Sequence, residues 1–189
     1  MKIIAIFEPV ENALLSVQYD DKELHEWKDL IDCWTNVHYL RTFFKKNERI
    51  LNGEFYGGIT VKDAVTRTLK EAKILEKTIL ELAKNGKSDK KETLQTIFIP
   101  LNNNEVKITQ HQQTKAKLPN KKASWLRVYA IRISENLFVI SGGGIKLTHW
   151  MDESDHLKIE LEKLEITKKY LIDKDVLDED DYETLEISL

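Results

Sequence analysis

The period of apolar and polar positions changes several times along the 189-residue chain, and each change marks an element. Residues 2 to 19 read as one or two strands, KIIAIF and ALLSVQY, with a turn at Glu8-Pro9 between them. Asp20 and Glu23 have the form of a capping box. Leu24, Trp27, Ile31, Trp34 and His38 then recur at helical steps and predict a helix running to about Lys46. LNGEFYGGI is a glycine-rich turn. Thr60 with Asp63 caps a second helix, whose apolar stripe of Val65, Leu69, Ala72, Leu75, Ile79 and Leu82 ends at Asn85-Gly86. Two such helices joined by a turn predict a long helical hairpin.

After the charged turn KSDKKE, the run TLQTIFIPL predicts a strand that Pro100 and the following asparagines end. Residues 102 to 122 are polar and lack an apolar period, as in a long exposed loop or a loose pair of strands. The two best strands follow at about 124 to 134 and 137 to 142, joined at Glu135-Asn136. Helical spacing returns over 153 to 172, with Leu157, Leu161, Leu164, Tyr170 and Leu171 to one side. The expected fold is α+β: the helical hairpin packed on a small antiparallel sheet, with a C-terminal helix. Residues 1–172 form one domain, and 173–189 form an acidic tail.

Composition adds limits. A 41% hydrophobic content with mixed charges is that of a globular domain. No apolar stretch approaches the ~18 residues of a membrane span, so no membrane partner is expected. The opening MKIIAIFEPV is broken by a proline and a glutamate too early for a secretory signal. The single cysteine, Cys33, allows no intrachain disulfide and reads as inert packing. These features predict a cytoplasmic protein. The histidines show no paired ligand spacing, so neither a metal nor another cofactor is expected.

The net charge of −3 hides an asymmetry. Lys107, Lys115, Lys117, Lys121, Lys122, Arg127 and Arg132 lie in one run without an acid, whereas residues 173 to 186 carry eight acids and one lysine. A local basic surface can hold phosphate while the whole chain stays mildly acidic. The acidic tail has three readings: it folds back to mask that surface, it forms an edge for a partner strand, or it only aids solubility.

The basic run leads into the hairpin WLRVYAIRISENLFVISGGGIKLTHWM. Alternation puts Trp125, Arg127, Tyr129, Ile131 and Ile133 on one face, and Leu126, Val128, Ala130 and Arg132 on the other. With the second set as the core face, an arginine between two aromatics faces solvent. A guanidinium pairs with phosphate, and flanking rings stack unpaired bases. A cation–π ladder over a half-buried sheet explains the same pattern. SGGGIKL lacks the Gly-Lys-Ser/Thr order of a phosphate-binding loop, and its glycines suit a bend, a bulge or a close approach instead. Lys146 then projects beside Arg127, and His149 follows as a proton carrier or a plain surface residue.

The hairpin resembles the C-terminal half of the RelE/ParE toxin superfamily, the HigB-like branch above all. The resemblance rests on Arg127-Val128-Tyr129, a turn, FVIS, glycine, Lys146 and a polar segment before a closing helix, and it spans about 124 to 172. It implies a small α/β toxin of a toxin–antitoxin system, one that cleaves ribosome-bound mRNA without metal or poisons gyrase. A cognate antitoxin protein would hold it inactive. It places Arg127 and Lys146 at the family's RNA-contacting positions. Leu147 stands where a second basic residue is usual, and Ser141 and Gly142 where some HigB-like members have a histidine. On this reading Arg127, Lys146, His149 and Tyr129 are the candidate catalytic residues of a ribonuclease. Lys115, Lys117, Lys121, Lys122, Trp125 and Arg132 are the candidate RNA-binding residues. The alternative is a non-enzymatic RelE-like regulatory or protein-binding module in a toxin–antitoxin or antiphage operon.

Overall fold

The computed structural model describes residues 1–86, 92–102, 109–118, 124–151, 153–177 and 181. Strands β1 (Ile3–Val10) and β2 (Leu14–Tyr19) lead into helices α1 (Glu26–Thr35), α2 (Val37–Lys46), α3 (Glu48–Leu51) and α4 (Val61–Gly86). Strands β3 (Phe98–Pro100), β4 (Gln112–Ala116), β5 (Leu126–Arg132) and β6 (Phe138–Ile145) follow, and α5 (Asp155–Asp173) comes after them. The six strands form one sheet in the order β1-β2-β6-β5-β4-β3. It is an α+β fold with a long helix, as the hydrophobic pattern predicts. The sheet is mixed rather than wholly antiparallel, because β2 and β6 run parallel over Leu14–Ser16 and Phe138–Ile140.

Side chains alternate across the strands into two cores. Leu14, Leu126, Val128, Ala130, Phe138 and Ile140 face α1, α2 and α4, where Trp27, Trp34, Leu40, Phe44, Leu75 and Ile79 meet them. Leu15, Val17, Tyr19, Tyr129, Ile131 and Val139 face the other way and are covered by Leu164, Leu171 and Val176. Helices therefore cover both faces, and a strand buried on both faces reads as a nearly continuous apolar run. LRVYAIRI is such a run.

The first predicted helix is shorter at its start and broken in the middle. Its N-cap is His25 rather than Asp20, and Leu24 stays exposed ahead of it. Asn36 ends α1 and caps α2 by accepting the Tyr39 amide at 3.0 Å. A short side chain that satisfies a free amide favours such a junction over the middle of a helix. The predicted cap at Thr60 forms: the Asp63 amide donates to Thr60 Oγ1 at 3.1 Å, and that hydroxyl donates to Asp63 Oδ2 at 2.6 Å. Residues 94–96 form a 3₁₀ turn, which leaves β3 only Phe98–Pro100.

The polar stretch before the hairpin holds β4, whose Gln112, Thr114 and Ala116 are buried against β5. The glycines do not end β6. They carry it on to Ile145, with a bulge at Ser141 between the Tyr129–Gly142 and Ala130–Ile140 pairs. Cys33 is half-buried, and burial pushes its thiol up to about 11.

Candidate functional site

At one end of β5 and β6 the chain leaves an open pocket of about 380 Å³. One wall is Ser124, Arg127 and the segment Lys146–His149; the other is Ile50, Phe55 and Tyr56 from α3 and the turn that follows. Register places Arg127 there, because it pairs with Gly144 across the last rungs of the hairpin. The Lys146 amide extends that ladder by donating to Trp125 O at 2.7 Å. Tyr56 ties the opposite wall on, its hydroxyl donating to Leu147 O at 3.1 Å. The His156 ring closes the corner between Ser154 Oγ and Ile145 O.

Two cations face this space. Arg127 Nη1 donates to the Ser124 and Leu126 carbonyls at 2.8 and 2.7 Å, and Lys146 Nζ donates to the Thr148 and His149 carbonyls. Among the described residues neither cation pairs with a carboxylate within salt-bridge distance. Burial lowers the proton affinity of both, and for Lys146 the neighbouring Arg127 adds to the effect. Lys115 is depressed by burial too, and by the charges of Arg127, Lys117 and Lys146. Arg127, Lys117 and Lys146 thus all bear on Lys115 at this end of the sheet, a field that favours an anion. Lys115 also holds its own edge, donating to Leu101 O at 2.7 Å.

His149 is exposed and packs edge-on against Trp150 at 4.7 Å, with Trp150 itself 64% exposed. Arg127, Lys146 and His149 therefore meet as the sequence pattern predicts. The aromatic part of that prediction fails. Trp125 is buried on the helical-hairpin side, where its indole N–H donates to Thr68 Oγ1 at 2.9 Å and Arg67 lies 4.1 Å over its ring. It precedes the first rung of β5, so strand alternation does not govern its direction. Tyr129 is buried beneath α5, and burial raises its phenol far above the ordinary value, so it neither stacks a base nor takes a proton at neutral pH. Arg132 lies five residues along β5 from Arg127, ~17 Å away, and lines no part of the pocket. Lys117 is half-buried beyond β4, while Lys121 and Lys122 lie outside the described residues.

No family model, curated protein or solved structure matches the chain.

Two groups escape the sequence pattern. Phe55, 77% exposed, and Tyr56 reach the pocket from a glycine turn far from the hairpin in sequence. Their only signal is two adjacent aromatics inside LNGEFYGGI. The other group is a charged triad on the far side of β6, where Lys163 Nζ contacts Glu26 Oε2 at 2.7 Å and Glu160 Oε1 at 2.9 Å. All three side chains are buried. Beyond Ser16 and Ile140 the parallel strands stop pairing, α1 passes to one face and α5 to the other, and the triad sits between these elements. Such a switch point in a sheet often holds a ligand. Here protein charges occupy it.

Burial pushes the Glu160 carboxyl up to about 7 against the pull of Lys163, and it raises Glu26 as well. Burial alone would depress Lys163, but the two glutamates outweigh it and hold the ammonium above its ordinary value. A carboxyl raised in this way binds more proton folded than unfolded between about 4.5 and 7, so stability falls as pH rises through that window. The expected loss between pH 5 and pH 8 is on the order of 2–3 kcal/mol from this group. Urea unfolding at the two pH values measures it. Glu160→Gln should flatten the slope, and an equal slope in that variant would refute the assignment.

Proposed function

We propose that the chain is a toxin-like RNA-binding ribonuclease of a toxin–antitoxin system, acting in the cytoplasm at the Arg127–Lys146–His149 pocket and held in check by an antitoxin protein. The observation that carries this reading is the meeting of two cations and an exposed imidazole at one open pocket, with no carboxylate paired to either cation among the described residues. The β5–β6 hairpin with α5 after it also supports the reading, since the RelE/ParE resemblance runs from such a hairpin to a closing helix.

The chemistry needs no group beyond these. The RNA 2′-hydroxyl attacks the adjacent phosphorus as His149 takes its proton. Arg127 and Lys146 stabilise the charge growing on the non-bridging oxygens. The bond to the 5′-oxygen breaks, that oxygen takes a proton from water, His149 returns its own proton to solvent, and a 2′,3′-cyclic phosphate remains. Tyr129 has no place in the scheme.

Induced expression in bacteria tests the reading. Wild type is expected to arrest growth, and the purified chain to cleave single-stranded RNA. Arg127→Ala should lose about 10²–10³-fold in cleavage rate as an oxyanion-type contact. His149→Ala should lose about 10²–10⁴-fold as a general base, with RNA binding retained. Circular dichroism checks that each variant folds. A wild type that neither arrests growth nor cleaves RNA would sink the ribonuclease.

Two observations favour the non-enzymatic alternative. Lys146 already donates to two carbonyls of its own loop, and the burial of Tyr129 leaves one proton carrier at the pocket. No arrest and no cleavage by the wild type, with a protein partner recovered by pull-down and lost in Arg127→Ala, is the result that this second reading expects.

A further inference from the structure

We propose that the pocket receives one nucleotide unit with an unpaired base, its phosphate on the Arg127–Lys146 wall and its base on Phe55. The proposal rests on the reading of the pocket as a phosphate site and adds what lies beside the phosphate.

The two walls differ in kind. On the polar side Ser124 joins the cations. Arg127 Nη1 holds its carbonyl at 2.8 Å, and its buried hydroxyl finds no partner among the described residues. Native proteins rarely leave a buried hydroxyl unsatisfied, and a ligand oxygen arriving beside Arg127 is one way to satisfy it. The other side is aromatic and is held in place. The Tyr56 hydroxyl is anchored on Leu147 O, and the Phe55 ring stands edge-on to the Tyr56 ring at 4.8 Å.

Phe55 is the most exposed large apolar side chain among the described residues. Its turn is shaped by Gly57 and Gly58, at φ +67° and +72°, a conformation in which side-chain-bearing residues are strained. The chain thus holds a phenyl ring in water beside a cationic pocket, on a turn anchored through the neighbouring Tyr56. Every nucleobase has a face that can stack on such a ring, whereas a base inside a duplex does not offer one. The volume of about 380 Å³ lies at the lower end of ligand pockets and suits one unit rather than a base pair.

The test is calorimetric titration of the full chain with inorganic phosphate, ribose 5-phosphate and adenosine 3′-monophosphate. A 2′-O-methyl oligoribonucleotide, which resists cleavage, is added single-stranded and as a duplex. Wild type should bind the mononucleotide about 5- to 100-fold more tightly than ribose 5-phosphate. Phe55→Ala should erase that increment and leave phosphate affinity unchanged; the ring is exposed, so the variant keeps its fold. Arg127→Ala, with Arg127→Gln beside it, should weaken every phosphate-bearing probe.

A nucleotide no tighter than ribose 5-phosphate, an increment that survives Phe55→Ala, or a duplex bound as well as the single strand would each overturn the base slot. The phosphate reading would then stand by itself. Failure of all phosphate probes, or indifference to Arg127, would overturn the reading beneath it. An oligomer tighter than the mononucleotide points to a strand as the source. Equal affinity keeps the slot, makes a free nucleotide its ligand and overturns the RNA reading.

Discussion

Replacing Lys163 with methionine is expected to lower the unfolding free energy by about 3–5 kcal/mol, the usual result of stranding buried charge. The ammonium lies between Glu26 and Glu160 and balances both. Methionine fills most of its space, so the loss would come from electrostatics rather than from a cavity. Among the described residues one oxygen of Glu26 already lacks a hydrogen-bond partner, and the variant would remove the Lys163 contact from the other. Urea unfolding followed by circular dichroism gives the number. Adding Glu26→Gln and Glu160→Gln to Lys163→Met should recover most of the stability, because neutral amides are far less costly to bury than carboxylates. A single variant within about 1 kcal/mol of wild type would mean that the glutamates stay protonated without help and the lysine is dispensable.

The triad also marks the limit of what the sequence discloses. Glu26 and Lys163 stand 137 residues apart, and no periodicity links them. A weaker signal was present in α5, where Glu160 and Lys163 interrupt the stripe of Leu157, Leu164 and Leu171. Polar residues on an apolar helical face need a buried partner, which the sequence alone does not name. The strands were easier. Alternation in β5 correctly separates Leu126, Val128 and Ala130 from Tyr129 and Ile131.

Exposure does not follow from alternation. The second set is apolar enough to be buried, and α5 covers it. Of the pocket, Arg127, Lys146 and His149 were legible because a hairpin brings neighbours in sequence together. Phe55 and Tyr56 were not, since only the packing of the helices against the sheet carries their turn to the end of β5. The exposed aromatic ring beside the cations is therefore Phe55 rather than Trp125 or Tyr129, while the cations stay where the pattern put them.

Gly142→Ala is the second substitution expected to be severe, at roughly 3–5 kcal/mol. A methyl group there would lie 2.0 Å from Glu160 Oε2, and the residue has φ +156°. The oxygen it would displace accepts the Gly143 amide at 2.7 Å, on a side chain that also holds Lys163. One added carbon therefore breaks an amide contact and disturbs the charge balance together. It acts at the bulge where β6 changes register against β5, two rungs from Arg127. A double-mutant cycle separates these causes. In a Glu160→Ala background the obstructing carboxylate is gone and Lys163 keeps Glu26 as a counterion. Gly142→Ala should then cost only the backbone strain, about 1–3 kcal/mol. The coupling between the two sites should amount to about 2 kcal/mol, a size expected for side chains in direct contact. Strict additivity would mean that the glycine is required by its backbone conformation alone. The close packing of Glu160 on β6 would then have no part in shaping the strand that carries the pocket.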